Sequence, residues 1–173
     1  KGLYLLRQVD AGKKSPRVQL MGSGTILREV IAAADLLKND FDIASDIWSA
    51  TSFTELGRDG MACERWNRMH PEAAPRLPFV AQCLEKRAGP VIVATDYMRA
   101  FPDQIRPYVS QRFVTLGTDG FGRSDTRANL REFFEVNRHH VVIATLSALA
   151  AECTKKKKKV SEAIKKYGVN AEK

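Results

Sequence analysis

The feature that most constrains this chain is Pro90–Thr95 (PVIVAT), a short β-branched run with no polar face. A strand that is apolar on both sides must be covered on both sides. That is the position of a central strand in a parallel sheet with helices above and below it. Four further runs have strand character: Lys1–Gln8, Arg17–Met21 (RVQLM), Ala44–Ser49 and Phe113–Gly117. Helical periods separate them. After Gly22-Ser23-Gly24, the residues Ile26, Val30, Ala33 and Leu37 recur on one stripe, and Arg28, Glu29, Asp35 and Lys38 are assigned to the opposite side. Ser52 and Glu55 form an S-x-x-E capping box that opens a helix through about Asn67, with Phe53, Leu56, Gly60 and Cys63 on one face. Pro71, Pro75 and Pro78 bound a loop, and a short helix follows over Phe79–Lys86. Pro102 suits the first turn of a helix whose end Pro107 limits. Thr118–Asp125 is a polar loop before a helix bearing Leu130, Phe133 and Phe134, and Asn137 is a candidate cap for the next element. Val141–Leu149 is long and alanine-rich enough to be read as helix. Val160, Ile164 and Tyr167 mark a last helix stopped by Gly168. Strands spaced by helices predict a three-layer α/β/α sandwich around a mostly parallel, roughly five-stranded sheet. Residues 1–173 read as one domain, with 155–173 as a basic tail carrying a short terminal helix.

With 173 residues, 44% of them hydrophobic, the chain can bury a sizeable core. No apolar run approaches the ~20 residues a bilayer span needs, and no signal-peptide pattern opens the chain. The expectation is a cytoplasmic protein that does not enter a membrane. An opening at Lys1, directly in strand-like sequence, points to a piece of a longer polypeptide. Cys63, Cys83 and Cys153 are odd in number and widely spaced, which fits neither a disulfide framework nor a zinc pattern. They read as small buried apolar residues. The net charge of +8 suggests a nucleic-acid binder until it is divided along the chain. Residues 155–173 hold eight lysines and two glutamates, whereas residues 1–154 hold 20 basic and 18 acidic groups. The basicity belongs to the tail, and a groove reader needs it on the folded face, so no nucleic-acid partner is expected. Lys155–Lys159 reads as a solvated loop before the last helix.

Three stretches invite functional readings. The turn at Ser23, Gly24 and Thr25 lies between strand and helix, where amides can cradle an anion. A dinucleotide fingerprint would need glycine at position 27, which is Leu27, so a tight turn without ligand stands beside that reading. The loop Thr118-Asp119-Gly120-Phe121-Gly122-Arg123-Ser124-Asp125 follows a strand and opens a helix, where α/β sheets place their ligand crevices. Its two glycines would let backbone approach a neighbour closely, Ser124 or Asp125 could cap the helix, and Arg123 could pair with a carboxylate or phosphate. A structural loop bonded to the protein itself or to a partner subunit is the alternative. Asp96 and Tyr97 end the buried strand and are candidates for the same rim, with Asp96 also readable as a cap. Glu55, Arg58, Asp59, Glu64, Arg65 and Arg68 crowd one helix, with Glu64 and Arg68 at i,i+4 and Trp66 between them. A solvated or subunit-facing salt-bridge surface is the plain reading. His70, His139 and His140 have no chelating geometry, and no nucleophile elbow is present.

Taken in order, RVQLMGSGTIL (17–27), TSFTELGRDG (51–60), CERWN (63–67), TDYMRAF (95–101) and LGTDGFGRSDTRANLREFFEV (116–136) resemble the C-terminal domain of the homodimeric bacterial pyruvate dehydrogenases. These are members of the transketolase-like superfamily. The resemblance implies two further domains upstream of this chain, with thiamine diphosphate and magnesium bound between them across a dimer interface. It implies an enzyme that decarboxylates pyruvate and acetylates the lipoyl groups of the dihydrolipoyl acetyltransferase complex. The partners so implied are the upstream domains of the same chain, a homodimer partner and that complex. The family's G-D-G…N-N diphosphate motif has no counterpart here and no glutamate matches the cofactor-activating one, so no catalytic, cofactor-binding or metal residue is carried over. The role implied for this segment is architectural, in packing, dimer support and shaping the active-site entrance. Asp96, Tyr97, Asp119, Phe121, Arg123, Ser124 and Asp125 are the candidates for that rim or interface. Two readings stand beside it: a regulatory module for a small anionic metabolite, and the equivalent domain of a transketolase or another 2-oxo acid dehydrogenase.

Overall fold

The computed structural model describes residues 1–152 and 157–172. Five strands form one sheet: β1 (Leu3–Val9), β2 (Arg17–Gly22), β3 (Ala44–Ala50), β4 (Val91–Ala94) and β5 (Phe113–Leu116), in the order β1-β3-β2-β4-β5. β2 to β5 are mutually parallel, and β1 closes one edge by pairing antiparallel with β3. The helices are α1 (Leu27–Phe41), α2 (Phe53–Met69), α3 (Phe79–Leu84), α4 (Ala100–Asp103), α5 (Arg127–Phe133), α6 (Arg138–Glu152) and α7 (Lys157–Tyr167).

Side-chain alternation along the strands builds the three layers. Val18, Leu20, Ile47, Ile92 and Ala94 face one core with α1, α6 and α7. Met21, Trp48, Val91 and Val93 face the other, with Phe53 and Leu56 of α2 and Val80 and Leu84 of α3. PVIVAT is therefore a central strand covered on both sides, as an all-apolar run must be. The α1 stripe of Ile26, Val30, Ala33 and Leu37 is buried throughout. Ser52 caps α2 by accepting a hydrogen bond from the Glu55 amide at 3.2 Å. The return bond of a full capping box is replaced, since the Ser52 amide donates to the Gly2 carbonyl and Glu55 pairs with Arg58.

Several expectations are corrected. Glu29 is not on the solvent side of α1. It is 4% exposed and accepts from Arg131 and Arg138. Lys157–Lys159 is not loop but the first turn of α7, and Lys159 donates to the Phe41 carbonyl at the end of α1. Lys155 and Lys156 lie outside the described residues. Cys63 and Cys83 are half-buried rather than core residues, and burial pushes both thiols up. Cys153 lies outside the described residues. On α2 the Trp66 ring stacks with the His70 ring and has the Arg76 guanidinium 4.0 Å from its centre.

A fully buried charge, Asp46, sits at the opposite end of the sheet from the loops considered below. Gln8, Asp46 and Gln19 stand in register on three adjacent strands. Asp46 accepts from Gln8 (2.9 Å), Gln19 (3.1 Å), Arg17 (2.6 Å) and Arg87 (3.2 Å), and Gln19 in turn accepts from the Trp48 indole at 2.9 Å. Burial pushes the Asp46 carboxyl up, but these bonds and the Arg17 charge outweigh it and hold the group below the usual range.

Candidate functional site

The chain leaves β2 for β3 on one side and then crosses to β4 on the other. The sheet therefore has its topological switch point between β2 and β4, where crevices open beyond the strand carboxyl ends. Ser23 follows β2 and Thr95 follows β4. The Ser23 amide donates to the Ala94 carbonyl at 3.3 Å, and the two hydroxyls lie 2.7 Å apart. The Tyr97 amide donates to Thr95 Oγ1. These bonds lock the two turns together and occupy the hydroxyl of Ser23.

The loop after β5 is stitched to the same place. Thr118 donates from its hydroxyl to the Asp96 carbonyl (2.5 Å) and from its amide to the Tyr97 carbonyl (2.9 Å). Asp119 accepts from the Arg99 amide at 2.9 Å and pairs with the Arg99 guanidinium; the amide bond first, then that side chain, hold its carboxyl below the usual range. Asp96 caps no helix. Its carboxylate lies over the Gly24–Thr25 turn, with Thr25 Oγ1 donating at 3.5 Å, so the turn that could cradle an anion already faces a negative charge.

A cavity of about 380 Å³ opens between this turn, the 118–126 loop and α5. Ile26, Leu130, Phe134 and Val136 supply apolar lining, Thr25 and Thr118 hydroxyls, and Asp96 a carboxylate. Arg123, Arg127 and Arg131 are its cations. Arg131 is engaged by Glu29, and the Arg123 guanidinium carbon stands 4.4 Å from the centre of the Phe133 ring, its charge also acting on Asp125. Phe121, in the same loop, is 97% exposed. Tyr97 faces away toward a smaller cavity that it shares with Ser23, Ser52 and Phe101.

The loop's internal design differs from the sequence reading in two respects. Thr126, not Ser124 or Asp125, caps α5, accepting from the Asn129 amide at 3.3 Å. Asp125 braces that cap by accepting from the Asn129 side chain (2.8 Å) and the Thr126 amide (2.7 Å), and both bonds lower its carboxyl. Nor do Gly120 and Gly122 permit a close approach, since an added Cβ at either meets nothing within 4 Å. Gly120 is needed for its φ of +92°, whereas close approach belongs to Gly22, where a Cβ would lie 2.7 Å from the Leu27 Cα. Ser23, Gly24, Thr25, Asp96, Asp119, Phe121, Arg123, Ser124 and Asp125 thus gather at one end of the sheet. Sequence reasoning missed Arg127 and Arg131, although their i,i+4 spacing, parallel to that of Leu130 and Phe134, was there to be read.

A doubly covered α/β sheet with a switch-point crevice defines the class, and comparison with known proteins identifies the family. Residues 2–137 match the model of the transketolase-like TK C-terminal domain, and the chain belongs to that family. It is 57% identical over its whole length to the "Pyruvate dehydrogenase E1 component" of Cupriavidus necator and 56% identical to that of Pseudomonas aeruginosa. The corresponding protein of Escherichia coli K12 is 48% identical. The chain spans 19–20% of the length of these relatives. Among solved structures, transketolase from Leishmania mexicana aligns with 85% of this chain and 18% of its own at a TM-score of 0.53 and 18% identity. Transketolase from Campylobacter jejuni gives 0.52 over 84% of this chain and 18% of its own, also at 18% identity. At such identities the likeness is one of fold.

Proposed function

We propose that this chain is the C-terminal domain of a thiamine-diphosphate-dependent pyruvate dehydrogenase, acting as an architectural and subunit-supporting unit of an enzyme whose chemistry resides in preceding segments. The observation that carries the reading is 57% identity sustained over the entire chain to a protein about five times longer. The full enzyme would decarboxylate pyruvate and deliver acetyl groups to the acetyltransferase complex, as a homodimer in the cytoplasm. No helix among the described residues is long and apolar enough to cross a membrane. The exposed rim residues Tyr97, Met98 and Phe121 support a role in packing against neighbouring domains. Residues 1–173 act as one unit in this reading, because α6 and α7 pack into the same core as α1.

In this reading thiamine diphosphate and magnesium are held by the preceding segments; among the described residues no three His, Cys, Asp or Glu side chains stand grouped. The purified chain, supplied with thiamine diphosphate, magnesium and pyruvate, is therefore expected to release no carbon dioxide. Co-expression with the upstream four-fifths of a relative lacking its own copy of this segment is expected to restore turnover. Decarboxylation by the isolated chain, or failure of the well-folded pair to assemble, overturns the reading.

A further inference from the structure

Away from the switch-point loops, α7 carries charge that the fold does not use. Lys159 is spent on the Phe41 carbonyl and Lys166 on Asp40. Lys157, Lys158 and Lys165 are exposed, and among the described residues no hydrogen bond, ion pair or ring contact engages their side chains. Stability does not call for them, since cations in the first turn of a helix oppose its dipole. Lys157 and Ser161 stand one turn apart on the same row of α7, and Lys165 is the next residue of that row.

The row borders a groove of about 370 Å³ between α6 and α7, toward the amino ends of the parallel strands. Ser147, Ala150 and Ala151 of α6 line it, with Lys157, Val160 and Ser161 of α7. Arg112, which immediately precedes β5, is its second cation and is likewise exposed and unpaired among the described residues. No carboxylate lines the groove, so its charge complement is an anion. No aromatic side chain lines it either, which leaves a nucleic-acid base no platform to stack on. Val160, Ala163, Ile164 and Tyr167 of α7 are packed into the core of the domain, so the helix has no apolar face to lay on a bilayer. What remains between the cations, Ala150, Ala151 and Val160, suits an apolar side chain flanked by carboxylates.

We infer that the α6–α7 groove docks an acidic peptide segment of a partner protein. Its carboxylates meet Arg112, Lys157, Lys158 and Lys165, and an apolar side chain between them rests on Ala150, Ala151 and Val160. The inference does not depend on the proposed function, since it rests only on the residues of this groove.

Fluorescence anisotropy of the whole chain with a labelled peptide of glutamates around a central leucine pair tests it, at about 20 mM salt, where screening is weak. The same peptide with glutamines for glutamates, and an oligothymidylate of equal charge, serve as comparisons. The glutamate peptide is expected to saturate and to bind at least about tenfold more tightly than the glutamine peptide, a factor of ten being about 1.4 kcal/mol. Its binding is expected to fade at about 500 mM salt. The double variant Arg112→Gln, Lys157→Gln is expected to weaken it about tenfold. An equal loss of charge on α2, Arg65→Gln with Arg68→Gln, should leave it unchanged, since those exposed arginines lie in the other helix layer. Ala151→Leu fills the groove without altering charge and is also expected to weaken the peptide about tenfold. Circular dichroism confirms that each variant is folded. No saturation up to about 1 mM peptide would overturn the inference. So would equal effects of the two charge-removing pairs, an Ala151→Leu variant that binds as wild type does, or tighter binding of the oligothymidylate, which would assign the face to nucleic acid.

Discussion

Glu29 is a buried carboxylate that ties three helices together. It reaches from the first turn of α1 to Arg131 of α5 (2.9 Å) and to the Arg138 guanidinium (2.9 Å) and amide (3.1 Å) at the start of α6. Glu29→Gln leaves two arginines with half their acceptors. It is expected to cost about 2–3 kcal/mol, somewhat less than removing one member of a fully buried pair, because both guanidiniums are partly solvated. The pH dependence has a definite sign. Burial pushes this carboxyl up, but the side-chain and backbone bonds from Arg138, with the charges of Arg138 and Arg131, outweigh it and hold the group below its ordinary value. Its stabilisation is thus complete above an unfolded pKa of about 4.3 and is lost as pH falls through the lower folded value. Urea midpoints at pH 7, 4.5 and 3 should show the gap between wild type and Glu29→Gln closing with acid; a constant gap would refute the account. The residue was only half visible in the sequence. Its place at the border of the α1 stripe, three residues from Ile26 and four from Ala33, can be read from the helical period. Its partners are 102 and 109 positions away, and no local pattern reports them.

At the scale of elements, periodicity predicted what local physics decides and missed what long-range geometry decides. The strands at 17–21 and 90–95, the helix after Ser52 and the last helix stopped by Gly168 all follow from spacing and caps. The direction of β1 was also within reach, because the Asp10–Pro16 connection is shorter than the dozen or more residues a parallel crossover needs. The described part of the lysine run, Lys157–Lys159, was misread because its charge suggested solvent, whereas it stands in the same helix as Val160, Ile164 and Tyr167. α7 therefore begins with cations at the positive end of its own dipole. It is held by Tyr167 donating to Asp40 at 2.7 Å, by the Lys166–Asp40 pair and by Ala163 in the core. Lys157→Glu reverses the unfavourable end charge and is expected to stabilise the protein by about 0.3–1 kcal/mol in low salt. Thermal melts at about 20 mM and 500 mM salt, chosen to span weak and strong screening, should show the gain at the first and little at the second. A gain indifferent to salt would point to packing.

For the molecule as a whole, the boundary of the recognisable family and the boundary of the folding unit do not coincide. The family match ends at residue 137, yet Val141, Val142, Leu146 and Leu149 of α6 are buried where that helix packs on α1, β4 and β5. At roughly 1.5–3 kcal/mol for each large apolar side chain, α6 contributes on the order of 6–12 kcal/mol of burial. That is comparable with the whole stability of an ordinary domain, about 5–15 kcal/mol. A chain ending at Asn137 is therefore expected to lack a cooperative melt and to expose one face of its sheet. A chain ending at Glu152 forgoes only α7, whose one fully buried side chain is Ala163, and is expected to melt cooperatively at a lower temperature. Circular dichroism melts of the two truncations separate the cases. A sharp transition in residues 1–137 would mean that α6 decorates the sheet instead of completing it, and that the two covered faces of β4 do not set the size of the folding unit.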